Sequence, residues 1–332
     1  MSKVSVVILN WNGLRHLARC LDALWAQTFT DFEVILVDNG STDGSVEWIA
    51  EHAPQARLLR NAVNAGYAAA NNQAIRASQA PFVATLNNDT QVEPGWLEAL
   101  VAAADDPSVG SCASKMLFAA RPEVINSTGI CLDVTGFAWD RRGGELDDER
   151  EREPVEIFGP CAGAALYRRA MLDQIGLFDE AFFAYLEDVD LAWRAQMAGW
   201  RCLYAPTARV YHVHSATSVE GSPFKNHMLG RNKVWLIAKN YPLGRMLLHL
   251  PFILSYDLGA VLFALITRRE GSLLVGRLEG LAELPRVWRQ RRGVQALWRK
   301  DVSWRRWLDP LDPPWRVWAR YDTLRRALWE GK

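Results

Sequence analysis

The chain has 332 residues, 49% apolar and 23% charged, and no formal net charge. This composition excludes a disordered or fibrous chain and leaves room for one large domain or two ordinary ones. Five scattered cysteines, Cys20, Cys112, Cys131, Cys161 and Cys202, show no CxxC spacing, which argues against a disulfide framework or a zinc site. The first residues enter a strand-like run without the regions of a signal peptide, so this part of the chain is expected to face the cytoplasm. Residues 3–9 (KVSVVIL) read as a strand covered on both faces. Leu14, Leu17, Cys20, Leu21 and Leu24 then fall at helical spacing. Residues 32–37 (FEVILV) form a second buried strand, ending in the turn-rich DNGSTDGS. A short helix at 45–51, a strand at 57–60, an alanine-rich helix at 66–77 and a strand at 81–86 follow. A helix at 94–104 comes next, with Pro94 suited to its first turn. This alternation predicts an α/β fold with a mostly parallel central sheet flanked by helices. Its strands end in polar loops at 10–12, 38–43 and 87–89, where ligands of such sheets bind. The glycine patterns of a dinucleotide fold or a P-loop are missing.

From about 105 to 215 the pattern is less regular. Residues 121–154 are rich in Gly, Asp, Glu and Arg and read as a flexible excursion. Residues 158–169 (FGPCAGAALYRR) are small and apolar, and Gly163 and Ala164 would let a backbone or ligand approach closely. A helix at 170–176 precedes FFAYLEDVDLAWR at 182–194. There Glu187, Asp188 and Asp190 lie among aromatic and aliphatic side chains. Burying an unpartnered carboxylate is costly, and neighbouring acids raise one another's pKa. Proteins tolerate that where a base, a metal or a cationic ligand needs it; the alternative is acids at the positive end of a helix. Asp190 is spaced to pair with Arg194. A strand at 201–211 runs up to His212 and His214.

Residues 240–332 hold 17 basic and nine acidic side chains and seven of the 15 tryptophans. The helical tail is therefore expected to meet an anionic surface, and Trp with Arg suits a membrane interface. Residues 246–266 are about as long as a bilayer span. Pro251, His249 and Asp257 favour an interfacial or buried helix instead. No nucleic-acid partner is expected, since no recognised module or acid-free basic stripe occurs.

Seven elements coincide in order: VSVVILNWNG (4–13), VILVDNGSTDGS (34–45), NAGYAAANNQA (64–74), LNNDT (86–90), GPCAGAALYRR (159–169), GLFDEAFFAYLEDVDLAWR (176–194) and VYHVHSAT (210–217). Together they resemble the bacterial family 2 glycosyltransferases of the GT-A fold, in particular a rhamnosyltransferase-like branch. The resemblance covers about residues 3–240 and extends to RNKVWLIAKNYP (231–242). It implies a catalytic nucleotide-sugar domain at 1–240 and a basic, Trp-rich helical extension at 241–332.

The resemblance also implies roles. Asn10, Asn12, Asp38, Asp43 and Asn88 would line the nucleotide pocket, with Asp38 accepting from the pyrimidine N3–H. Asn64, Gly66 and Asn71 match an element beside the base and ribose. Asn87 and Asp89 occupy the DxD position and would hold Mg²⁺ or Mn²⁺ with the donor diphosphate. Asn87 offers only a neutral carbonyl there. His212 or His214 would complete the metal shell. Asp188 would be the general base of an inverting transfer, with Glu187 beside the acceptor. Gly163, Ala164 and Trp139 would line the sugar sites. The expected donor is dTDP-rhamnose, with a UDP-hexose as the alternative. The expected acceptor is a saccharide or lipid-linked saccharide of the cell surface, met by a peripheral enzyme on the inner face of the membrane. A homo-oligomer is compatible with this reading. A sugar nucleotidyltransferase would need a basic glycine-rich loop after the first strand, and Asn10-Trp11-Asn12-Gly13 is not one. A non-catalytic binding scaffold fits poorly with Asp38, Asp89 and Asp188 together.

Overall fold

The computed structural model of the chain describes residues 2–148, 150–213, 221–303 and 308–329. Strand β1 (Val4–Asn10) is buried almost throughout, as its continuous apolar run requires. Helix α1 (Leu14–Trp25) turns Leu17, Cys20, Leu21 and Leu24 to the sheet. Then come β2 (Phe32–Asp38), α2 (Ser45–His52), β3 (Arg57–Arg60), α3 (Tyr67–Ala77) and β4 (Phe82–Asn87). The four strands pair in parallel in the order β4, β1, β2, β3. This is the alternation legible in the sequence.

The second half of the sheet is built from β5 (Thr90–Val92), α4 (Trp96–Ala103), β6 (Val109–Phe118), β7 (Arg121–Ser127), β8 (Ile130–Leu132), β9 (Ala138–Asp140), β10 (Val155–Ile157), β11 (Ala164–Arg168), α5 (Arg169–Ile175), α6 (Glu187–Met197) and β12 (Arg201–His212). The full order is β10-β12-β6-β11-β4-β1-β2-β3. Strand β11 runs antiparallel to β4 and to β6, while β12 is parallel to β6. Strands β8 and β9 form a separate ribbon.

The described residues of 121–154, a stretch expected to be flexible, are folded against this half. The reason is electrostatic. Lys115 Nζ on β6 donates to both oxygens of Asp147, at 2.9 and 3.0 Å, in a buried pair. Arg141 pairs with Glu151, and Arg142 with Glu145 and Asp148.

Beyond the sheet lie α7 (Pro223–Asn240), α8 (Leu243–Thr267), α9 (Ser272–Ala282), α10 (Leu284–Ala296) and α11 (Pro314–Trp329). One apolar cluster joins Leu132, Phe158, Val189 and Trp193 to Trp235, Tyr241, Ile253 and Val287. Helix α8 turns Ile253, Val261 and Ala264 inward. Asp257 lies on the same seam, within 2.6 Å of Lys233 and 3.0 Å of Arg277. The acid that counted against a membrane span is thus neutralised inside the protein. The other faces of α8 expose Leu247, Leu250, Leu254, Leu258, Leu262 and Ile266. The helix is therefore not buried within this chain.

Candidate active site

The carboxyl ends of β1, β2 and β4 meet, as the sheet order dictates. Asn10 ends β1, and its Nδ2 donates to Asp38 Oδ2 at 2.9 Å. Its Oδ1 accepts from Asn88 Nδ2 at 2.7 Å. Gly13 permits this approach, because a Cβ there would stand 2.0 Å from Asn88 Nδ2. Asp38 Oδ1 accepts from the Ser41 N–H at 2.9 Å. Each oxygen of this buried carboxylate keeps a second lone pair. Asn12, at φ 50°, accepts from Thr42 N–H and donates its own N–H to Ser41.

Asn64 Oδ1 accepts from Gly66 N–H and from Asn39 Nδ2, tying the loop before α3 to the end of β2. Two more of the expected nucleotide residues are engaged at or within helices. Asp43 caps both α1 and α2, accepting from Leu14 N–H and Ser45 N–H. Asn71 donates back to Tyr67 O within α3.

Asp89 follows β4 and is nearly buried, with Oδ1 at 3.2 Å from His212 Nε2. Burial pushes its carboxyl up. The His212 hydrogen bond and charge, with His16, overrule that and hold it below the usual carboxylate range. His212 Nδ1 lies 2.7 Å from Asn126 Oδ1. With Nδ1–H donating to Asn126, a cation that displaced the proton between Nε2 and the Asp89 carboxylate would have both as ligands. Two adjacent ligands of an octahedral ion with bonds of about 2.1 Å stand about 3 Å apart. Among the described residues no group of three His, Cys, Asp or Glu forms a metal cage. The pair therefore suits an ion whose other oxygens come from a diphosphate and water. Asn87 belongs to this loop, and its N–H donates to Gly163 O at 2.8 Å. His214 lies outside the described residues.

The acids open α6. Asp188 Oδ2 accepts from Ala162 N–H at 3.2 Å and Oδ1 from Val189 N–H at 2.8 Å. Burial pushes its carboxyl up to about 6; the two N–H groups pull against this and the charge of Asp140 adds to it. Glu187 is buried, and its Oε2 has no hydrogen-bond partner among the described residues. Burial, then the charge of Asp188, drives its carboxyl well above the usual range. Asp190 is different. Burial would raise it, but Lys239 and Arg194 hold it low. It accepts from Arg194, Lys239 and Asn240 at 2.9, 2.9 and 2.7 Å.

Residues 161–163 bridge the two groups: Ala162 holds Asp188, and Gly163 holds Asn87. Thr85 and Tyr67 both donate to Ala162 O, at 2.6 and 2.8 Å. Sequence reasoning missed Tyr67 and Asp140, whose placement depends on pairings far apart in the chain. Of the expected sugar-site residues, Gly163 lies on this bridge. Ala164 is buried in the core opposite Leu86. Trp139 sits on the β8–β9 ribbon beside Asp140, under the Arg320 guanidinium 4.0 Å from its ring centre.

Fold and site define an enzyme that works at the switch point of a mixed α/β sheet. The chain belongs to glycosyl transferase family 2, whose family model matches residues 5–176, and it is a glycosyltransferase. It is 34% identical over 260 residues to N-acetylglucosaminyl-diphospho-decaprenol L-rhamnosyltransferase of Mycobacterium tuberculosis, covering 69% of this chain and 81% of the relative. It is 31% identical over 229 residues to the O-antigen biosynthesis protein RfbC of Myxococcus xanthus, covering 65% of this chain and 18% of that protein. The GT-A fold expected from the sequence is present. GalNAc-T7, crystallised with UDP, GalNAc and Mn²⁺, superposes with a TM-score of 0.60 at 18% identity over 72% of this chain and 48% of that one. The mannosyltransferase PcManGT of Pyrobaculum calidifontis, with GDP-Man and Mn²⁺, gives 0.52 at 17% identity over 99% and 88%.

Proposed function

We propose that this glycosyltransferase inverts the anomeric centre, with Asp188 as general base. It transfers L-rhamnose from dTDP-rhamnose to a lipid-linked saccharide in cell-surface polysaccharide synthesis. The observation that carries the mechanism is the bridge at 161–163, which sets Asp188 beside the Asn87–Asp89 loop. An acceptor hydroxyl attacks the anomeric carbon, the bond to the diphosphate breaks on the opposite side, and Asp188 takes the hydroxyl proton. Such base catalysis is worth roughly 10²–10⁴-fold. A carboxyl near 6 is mostly ionised at neutral pH yet basic enough to accept that proton. Asp89 and His212, with Asn87 near them, would hold Mg²⁺ or Mn²⁺, which stabilises the departing diphosphate as a Lewis acid.

The rhamnosyl group and the lipid-linked acceptor are supported by the mycobacterial relative, an L-rhamnosyltransferase named for N-acetylglucosaminyl-diphospho-decaprenol. A UDP-hexose is the second reading, because Asp38 meets the N3–H of uracil and of thymine alike. The exposed apolar faces of α8 and the basic helices after it support peripheral attachment to the cytoplasmic face of a membrane. The test is Asp188→Asn, assayed with dTDP-rhamnose and with UDP-hexoses. Turnover is lost while dTDP binding, followed by calorimetry with Mg²⁺ or Mn²⁺, is kept. Wild-type turnover in that variant removes Asp188 as the base.

A further inference from the structure

The loop that delivers the acids is held in a conformation its residues disfavour. Phe183, Tyr185 and Leu186 take φ of 64, 70 and 65°, the left-handed region that side chains other than glycine seldom adopt. Such backbone persists only where its surroundings over-determine it. Leu186 is the N-cap of α6, so its backbone sets the direction in which Glu187 and Asp188 leave the loop.

Two groups hold this loop from opposite sides. On the nucleotide side, Ala68 N–H donates to Phe183 O at 3.2 Å. Gly66, at φ 88°, lies so close that a Cβ there would stand 2.6 Å from the Phe183 ring. On the other side stands Asn232 of α7, which is fully buried. Its Nδ2 lies 3.0, 2.9 and 2.8 Å from the carbonyls of Phe182, Ala184 and Tyr185. Two N–H bonds thus serve three converging oxygens. Its Oδ1 accepts from Arg231 Nε at 3.0 Å, and Arg231 Nη2 donates to Ala181 O and Phe182 O. Without that amide, Phe182 O keeps Arg231 Nη2 as a donor, but the carbonyls of Ala184 and Tyr185 lose theirs, a costly arrangement away from water.

We propose that Asn232, oriented by Arg231, is a positioning residue. It holds the strained 183–186 loop so that Asp188 meets the acceptor hydroxyl, and it takes no part in donor binding. The proposal rests on Asp188 as the base. A small displacement of a reacting group can cost up to about 100-fold in rate, so the effect belongs in kcat and not in donor KM.

The test uses the full-length chain and whichever of dTDP-rhamnose and UDP-glucose the wild type turns over. Asn232→Ala lowers kcat about 10–100-fold, with donor KM and calorimetric nucleotide affinity unchanged within about threefold. Leu186→Gly in the same chain removes one left-handed penalty and recovers about fivefold of the loss. If Asn232→Ala does not fold, Asn232→Ser, which keeps one donor, carries the same comparison. Loss of donor affinity in step with kcat, or no recovery with Leu186→Gly, overturns the proposal. Asp188→Asn is measured alongside. Its wild-type turnover would remove the base reading, whereas an inactive Asp188→Asn beside a wild-type Asn232→Ala overturns the positioning role alone.

Discussion

Glu187 and Asp188 are neighbours in sequence with different surroundings. Asp188 has two N–H donors and a carboxyl near 6, whereas Glu187 Oε2 is buried without a partner among the described residues. Two consequences follow for pH. The proposed base must be ionised to take the proton, so kcat/KM should fall as pH drops through about 6, and a pH–rate profile reads that limb directly. For Glu187 the effect is on stability. Above the ordinary glutamate value of about 4.3 the unfolded chain has released a proton that the folded chain still binds. Stability is therefore lost as pH rises from there toward the raised folded value. Glu187→Gln removes this dependence. Its gain over wild type, read from urea midpoints, should grow between about pH 5 and pH 8. An equal gain at both pH values contradicts the account. These acids were legible in the sequence because three carboxylates among aromatics are conspicuous. Asp140 and Tyr67 were not, because their relation to Asp188 is made by the β8–β9 ribbon and by the Ala162 peptide.

At the scale of elements, α6 and α7 are joined by a buried charge cluster. Lys239 Nζ reaches Asp179 at 2.7 Å and the two oxygens of Asp190 at 2.8 and 2.9 Å. The pairing of Asp190 with Arg194 was readable from an i, i+4 spacing; the pairing with Lys239, 49 residues away, was not. Removing one partner of such a cluster leaves an uncompensated buried charge. Lys239→Met should cost about 3 kcal/mol by urea denaturation. A loss within the error of the midpoint would show that Arg194 and Asn240 suffice. The parallel strands β1, β2 and β4 were legible because each is a short apolar run between turn signals. Strand β6 (VGSCASKMLF) was not, although every residue in it is buried. Its serines and Lys115 break the apolar pattern, and Lys115 is tolerated only because Asp147 is folded over it. The same pair explains why 121–154 is structured despite a loop-like composition.

Across the whole molecule, α7 ties two functions together. One side holds the loop before the acids through Asn232, while Lys233 pairs with Asp257 of α8. Cutting the chain at 240 would strip α8 and α10 from the shared apolar cluster, so membrane binding is better tested by substitution. Leu254→Glu with Leu258→Glu alters only exposed positions. It should reduce co-sedimentation with anionic liposomes at least about tenfold, while turnover of a water-soluble acceptor analogue stays at wild type. Unchanged co-sedimentation would remove α8 as the attachment face. The charge asymmetry pointed to such a surface, but which faces of α8 stay exposed depended on Asp257 finding partners in α7 and α9. In-line displacement with one carboxylate taking the proton inverts the anomeric centre. NMR of the product made from a donor of known configuration should show the opposite anomeric configuration, and a retained configuration would rule out that single displacement.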